Sequence, residues 1–128
     1  MHNMVTMFKA LSDKNRLRVM AALTAHNELC ACQITELLEV TGATTSRHLS
    51  VLTASGLLTS RKEGRWVFFR IFNDRDNINT PDVILDWMKT EFTKSDTFKT
   101  DMGRLKQILT CNREELCRKQ RGEACCPL

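Results

Sequence analysis

Apolar positions recur along most of this chain at three- and four-residue intervals, the spacing of helices with one buried face. Met4, Met7, Phe8 and Leu11 form a first short stripe, ending at Ser12-Asp13, a pair suited to capping the next helix. Over 13–24 the stripe resumes, with Leu17, Met20, Ala21 and Leu23 inward and Lys14, Arg16 and Arg18 outward. Ile34, Leu37 and Leu38 outline a third helix, which Thr41-Gly42 breaks. A fourth follows at once within 42–55, capped by Thr41, and there Thr45, Leu49 and Leu52 share one side of a helical wheel. Two short helices joined by a tight, Gly-containing turn predict a helix-turn-helix, with the second as the recognition helix.

The period shortens over 57–72. Residues alternate loosely through Leu58-Thr59-Ser60-Arg61-Lys62, Glu63-Gly64 supplies a turn, and Trp66-Val67-Phe68-Phe69-Arg70-Ile71-Phe72 returns as an aromatic strand. This is a β-hairpin wing, with Arg61, Lys62 and Arg65 at its tip. Beyond a polar linker at 73–80, Pro81-Asp82 opens a long helical region. Its stripe of Ile84, Leu85, Met88 and Phe92 suits a dimer seam, to which Trp87 adds contact area, and Leu105, Ile108 and Leu109 resume it. The fold class is therefore mostly α with a β-hairpin wing. Residues 1–110 form the DNA-binding and dimerisation domain, and 111–128 a cysteine-rich tail in which Gly122 and Pro127 oppose a continuous helix.

At 128 residues the length suits one domain. Lys and Arg number 19 against 15 acids, a mild excess whose distribution matters more than its size. Within 44–70, Arg47, Arg61, Lys62, Arg65 and Arg70 face the single acid Glu63, a local charge of +4. A basic patch on a helix-turn-helix and its hairpin is the electrostatic footprint of a phosphate-binding surface. Thr44, Ser46 and Arg47 point away from the apolar stripe and are candidates for base-edge or phosphate contact. His48, at the flank and without a second His at i+4, is a phosphate or packing contact. The N-terminal residues lack the charged and apolar regions of a signal peptide, and no apolar run approaches bilayer length. Those features predict a cytoplasmic protein, in which six cysteines are thiols open to metals or oxidants.

Cys30 and Cys32 stand at the start of the third helix. Well inside a helix, residues i and i+2 point far apart, but at a distorted first turn they can converge. A helix N-terminus also favours the thiolates that bind soft metals. The competing reading is two small buried hydrophobes. Four more cysteines, Cys111, Cys117, Cys125 and Cys126, lie in the tail, as ligands or as incidental thiols. No Gly-rich phosphate cradle surrounds any cysteine, so an enzyme such as a small arsenate reductase is not expected.

Glu28-Leu29-Cys30-Ala31-Cys32, Ser46-Arg47-His48-Leu49, Gly56-Leu57-Leu58 and Arg61-Lys62-Glu63-Gly64-Arg65-Trp66-Val67 resemble the arsenical-resistance repressor (ArsR) family of bacterial metal-sensing transcription factors. The resemblance is strongest over about 7–72. It implies a winged-helix homodimer that represses an operon by binding operator DNA until a soft metal or metalloid, here As(III) or Sb(III), binds cysteine thiolates. Arsenite-responsive members usually carry a third Cys where this chain has Thr35. In another arrangement of the family, an adjacent Cys pair and a third Cys end the last helix, and Thr110 stands where that pair begins before Cys111 and Cys117. Each arrangement is thus present in two of three ligands. The alternatives are a Cd(II), Pb(II) or Zn(II) sensor, and a redox-responsive repressor using the same thiols.

Overall fold

The computed structural model describes residues 2–72 and 82–120. The expected linker at 73–80 and the positions Pro81, Gly122, Cys125, Cys126 and Pro127 lie outside the described residues. Among the described residues four helices interleave with three short strands and three more helices follow: α1 (His2–Leu11), α2 (Lys14–Ala25), β1 (Leu29–Cys30), α3 (Ala31–Leu38), α4 (Gly42–Ala54), β2 (Leu58–Glu63), β3 (Trp66–Ile71), α5 (Asp82–Thr93), α6 (Asp96–Thr110) and α7 (Arg113–Gln120).

The expected helix stripes close one core. Val19, Met20, Ala22, Ile34, Leu37 and Leu52 are fully buried, and Leu57 and Leu105 join them from the loop before β2 and from α6. Removal of each such side chain from water contributes about 1.5–3 kcal/mol before entropy is counted. Asp13 caps α2, its carboxylate accepting from the N–H groups of Asn15 and Arg16 at 2.8 and 3.1 Å. Thr41 caps α4 by accepting from the Thr44 N–H at 3.2 Å. The sharp stop between α3 and α4 falls earlier than the Gly42 break expected from the sequence. Glu39 adopts left-handed backbone at φ 57° and its N–H closes on the Thr35 carbonyl, while Gly42 is the first residue of α4.

Arg16 and Arg18 are not outward, as their spacing suggested. The Arg16 Nε donates to the Ala10 carbonyl at 2.6 Å. Arg18 makes two hydrogen bonds to the Asp101 carboxylate, at 2.9 and 3.0 Å, and a third to the Leu37 carbonyl. Arg104 from α6 donates to the Leu37 and Glu36 carbonyls at 2.7 and 3.1 Å and pairs with the Glu39 carboxylate. Two guanidinium groups thereby satisfy carbonyls left open at the end of α3, where the helix dipole also favours positive charge.

The wing forms over 58–71 with its turn one residue later than expected. Glu63 pairs with Trp66, so Gly64 and Arg65 make the two-residue turn. Gly64 takes φ +61°, the left-handed backbone that a primed hairpin turn requires at its first position. The sheet has a third strand, in order β1-β3-β2, because Leu29 and Cys30 pair antiparallel with Phe69 and Phe68. The long helical region expected from Pro81-Asp82 onward is two helices, interrupted at Lys94-Ser95, where Ser95 caps α6 through the Phe98 N–H, and the tail expected from residue 111 carries the short helix α7. Leu85 and Met88, expected at a dimer seam, are buried within the chain; the side of α5 left open carries Val83 and Trp87 instead.

Candidate metal centre and nucleic-acid interface

Cys30 ends β1 and is at the same time the N-cap of α3, so its backbone is extended (φ −75°, ψ 148°). Its N–H donates to Oε1 of Gln33 at 2.8 Å, the reciprocal bond of a capping box. Departure from helical geometry at this one residue lets two thiols of an i, i+2 pair meet: the Cys32 Sγ donates to the Cys30 Sγ at 3.3 Å. Both are buried. The bond from Cys32 lowers the Cys30 pKa, which burial opposes and which the N–H groups of Cys32 and Ala31 and the charge of Arg113 assist, leaving it at about 6. Cys32 moves the other way, pushed up by Cys30, by burial and by Cys117. The pair is poised as one thiolate and one thiol near neutral pH.

These sulfurs open onto a cleft of about 320 Å³ whose walls include Cys30, Cys32, Arg65, Trp66 and Cys117. Cys117 stands near enough to Cys32 to help push its thiol up. Cys111, at the C-cap of α6, does not line this cleft. Thr35 is buried one turn into α3, its hydroxyl donating to the Ala31 carbonyl at 2.8 Å. Among the described residues no three His, Cys, Asp or Glu side chains stand gathered as a ready-made metal cluster. The soft donors are adjacent, and closing a polydentate site around an ion requires side-chain rotation.

On α4 the buried side is Thr45, His48, Leu49 and Leu52, and Ser46 and Arg47 are exposed while Thr44 is half-buried. Ser50, one turn after Ser46, is exposed on the same side, an i+4 spacing that the sequence already carries. Of the two contacts expected for His48, the packing one is seen: it is only 6% exposed, and its Nδ1 lies 3.4 Å from Arg16. At the wing, Arg61 is held by Glu28 at 2.6 Å and by Glu63 at 2.9 Å, and its guanidinium lies 4.5 Å from the Phe68 ring centre. Arg61 thereby holds the Glu28 carboxyl below its usual range. Arg65 pairs with Glu114 at 2.5 Å and lies over Trp66. Lys62 and Arg47 are exposed and make no salt bridge among the described residues. Exposed pairs such as these contribute about 1 kcal/mol or less, so a phosphate can compete for their cations.

A three-stranded wing beside two helices meeting at a tight corner, with thiols where the first of them begins, defines a winged helix-turn-helix. The description "Bacterial regulatory protein, arsR family" matches residues 13–60. The chain is 36% identical over 70 residues to an arsenical resistance operon repressor of Bacillus subtilis, covering 55% of this chain and 67% of that one. It is 44% identical over 66 residues to the cadmium resistance transcriptional regulatory protein CadC of Listeria innocua, covering 52% of this chain and 56% of the relative, so it spans little more than half the length of such relatives. Among solved structures, HlyU from Vibrio cholerae superposes with a TM-score of 0.60 at 24% identity, over 72% of this chain and 94% of the other, a likeness of fold. The chain belongs to the ArsR family. No helix among the described residues is long and apolar enough to cross a membrane.

Proposed function

We propose that this protein is a cytoplasmic, homodimeric transcriptional repressor that leaves operator DNA when As(III) or Sb(III) binds the thiolates of Cys30 and Cys32. The observation that carries this reading is the 3.3 Å approach of two buried thiols at the first residues of the helix-turn-helix. Trivalent arsenic and antimony are soft, and thiolate is their preferred donor. Two α4 helices of a dimer enter successive major grooves with Ser46 and Arg47 toward the bases or phosphates, Thr44 beside them, and Arg61, Lys62 and Arg65 on flanking backbone. Residues 1–110 carry this DNA-binding and pairing role.

Transmission begins at Cys30, which belongs to the sheet by its backbone and to α3 by its capping role. A shift of its sulfur therefore moves the edge of the wing and the start of α3 together. At the other end of α3, Arg18, Arg104 and the Glu39 corner pass a tilt to α4. Moving the dimer from 99:1 to 1:99 bound needs about 5.5 kcal/mol of preference for the DNA-incompetent form, a demand that metalloid–thiolate bonds can meet.

The test is fluorescence anisotropy of operator DNA with reduced full-length protein as arsenite is titrated. Release by arsenite that Cys30→Ser and Cys32→Ser both abolish supports the reading; release that survives both substitutions overturns it. The likeness to CadC favours a second reading, a sensor of divalent soft metals. Release by Cd(II) or Pb(II) at concentrations where arsenite does nothing selects it.

A further inference from the structure

The pair Cys30 and Cys32 leaves a trivalent metalloid one sulfur short, and Thr35, one turn further along α3, offers only a hydroxyl committed to the Ala31 carbonyl. Two tail cysteines are described. Cys111 sits away from the cleft, whereas Cys117 forms part of its wall beside Cys30 and Cys32. Its position does not depend on the thiol itself, because α7 is fastened to the sensing region by other groups. Leu116 is 2% exposed within the common core. The Gln120 amide donates to the Cys32 carbonyl at 2.7 Å, and Glu114 pairs with Arg65. Arg113 lies 5.5 Å from the Trp66 ring centre and 4.9 Å from that of Phe68. Four side chains of one short helix thus present Cys117 to the cleft, and α7 lies against α3 along its length.

We propose that Cys117, supplied by α7 of the same chain, is the third sulfur ligand, so that As(III) is bound as a three-thiolate pyramid by Cys30, Cys32 and Cys117. This rests on the metalloid-sensing reading above and deepens it. Arsenous acid, As(OH)3, reacts with three thiols: three As–S bonds form, three As–O bonds break, and the thiol protons leave with the hydroxides as three waters. Arsenic stays trivalent and no oxidant is consumed. Closure turns Cys117 inward from the cleft wall, and α7 carries the change to Arg65 at the wing tip through Glu114.

Arsenic-edge X-ray absorption of the full-length, reduced protein loaded with one equivalent of arsenite per chain tests this directly. The expected result is three sulfur neighbours in the wild type, two sulfurs and one oxygen in Cys117→Ser, and three sulfurs in both Cys111→Ser and Cys125→Ser/Cys126→Ser. Thermal unfolding of Cys117→Ser shows whether its fold is kept. Three sulfurs persisting in a folded Cys117→Ser overturn the assignment of Cys117 and leave the metalloid reading standing. A wild-type protein that binds no arsenite through sulfur overturns the metalloid reading itself.

Discussion

Thr45 lies on the buried side of α4, and its hydroxyl oxygen has no hydrogen-bond partner. An unsatisfied buried hydroxyl carries a desolvation penalty that an apolar group of the same shape does not. Thr45→Val is therefore expected to raise the unfolding free energy by about 1 kcal/mol, read as a higher urea midpoint at unchanged slope. Asp13 is the opposite case. Burial raises its carboxyl, but the N–H of Arg16, the nearby His48 and Arg16 and the N–H of Asn15 outweigh that and hold it below its ordinary 3.8. A depressed carboxyl contributes stability above its unfolded pKa and loses it as pH falls through the folded value. Asp13→Ala should cost about 1 kcal/mol at neutral pH, with the difference from wild type shrinking as the pH drops below 3.8. Denaturant titrations at pH 7 and pH 3 measure both. The caps at Asp13 and Thr41 were legible because a cap needs only one short polar side chain before an apolar stripe. The inward-held Arg16 and Arg18 and the burial of His48 were not, because their partners lie far along the chain or in another helix.

At the scale of elements, α3 is gripped at both ends. Gln33 closes its start through Cys30, and Arg18 and Arg104 take up the carbonyls at its end. Asp101 orients Arg18 for that purpose with two hydrogen bonds, and its side chain is 6% exposed. Asp101→Ala is expected to destabilise the protein by roughly 2–3 kcal/mol, since it strands a guanidinium in a mostly dry site. An Arg18→Met/Asp101→Leu double variant should recover much of that loss in the same thermal melts, because it removes both charges together. Helix spacing and turn chemistry exposed α1 to α4 and the hairpin almost residue by residue. The third strand escaped because two residues carry no periodicity of their own; Leu29 and Cys30 become a strand only by pairing with Phe69 and Phe68. The break at Ser95 escaped because the polar run Thr93-Lys94-Ser95-Asp96-Thr97 contains no Gly or Pro to mark it. In the candidate site, the thiol pair at 30 and 32 was legible from its place at a helix start and from the flanking residues, whereas the placing of Cys117 beside that pair is a product of tertiary packing.

For the whole molecule, most of the large apolar side chains left open among the described residues fall on two helices that both pack on α2. Met4, Val5 and Phe8 of α1 and Val83 and Trp87 of α5 are exposed, Trp87 at 63%. Large apolar side chains grouped in this way suit a second copy of the chain. Phe8→Glu and Trp87→Glu should each shift sedimentation from dimer to monomer at micromolar concentration and weaken operator binding, while Cys117→Ser should leave the dimer unchanged. A dimer insensitive to both glutamates would place the partner elsewhere. Gln120 of α7 holds the Cys32 carbonyl, 88 positions earlier in the chain. The reading helix, the wing and the exposed apolar faces of α1 and α5 are all encoded before α7, so on the proposed three-sulfur reading a premature stop codon after α6 would remove Cys117 and leave the DNA-facing elements in place. On that reading such a shortened product, pairing with intact copies, would act as a dominant allele that holds the operator when the inducer arrives.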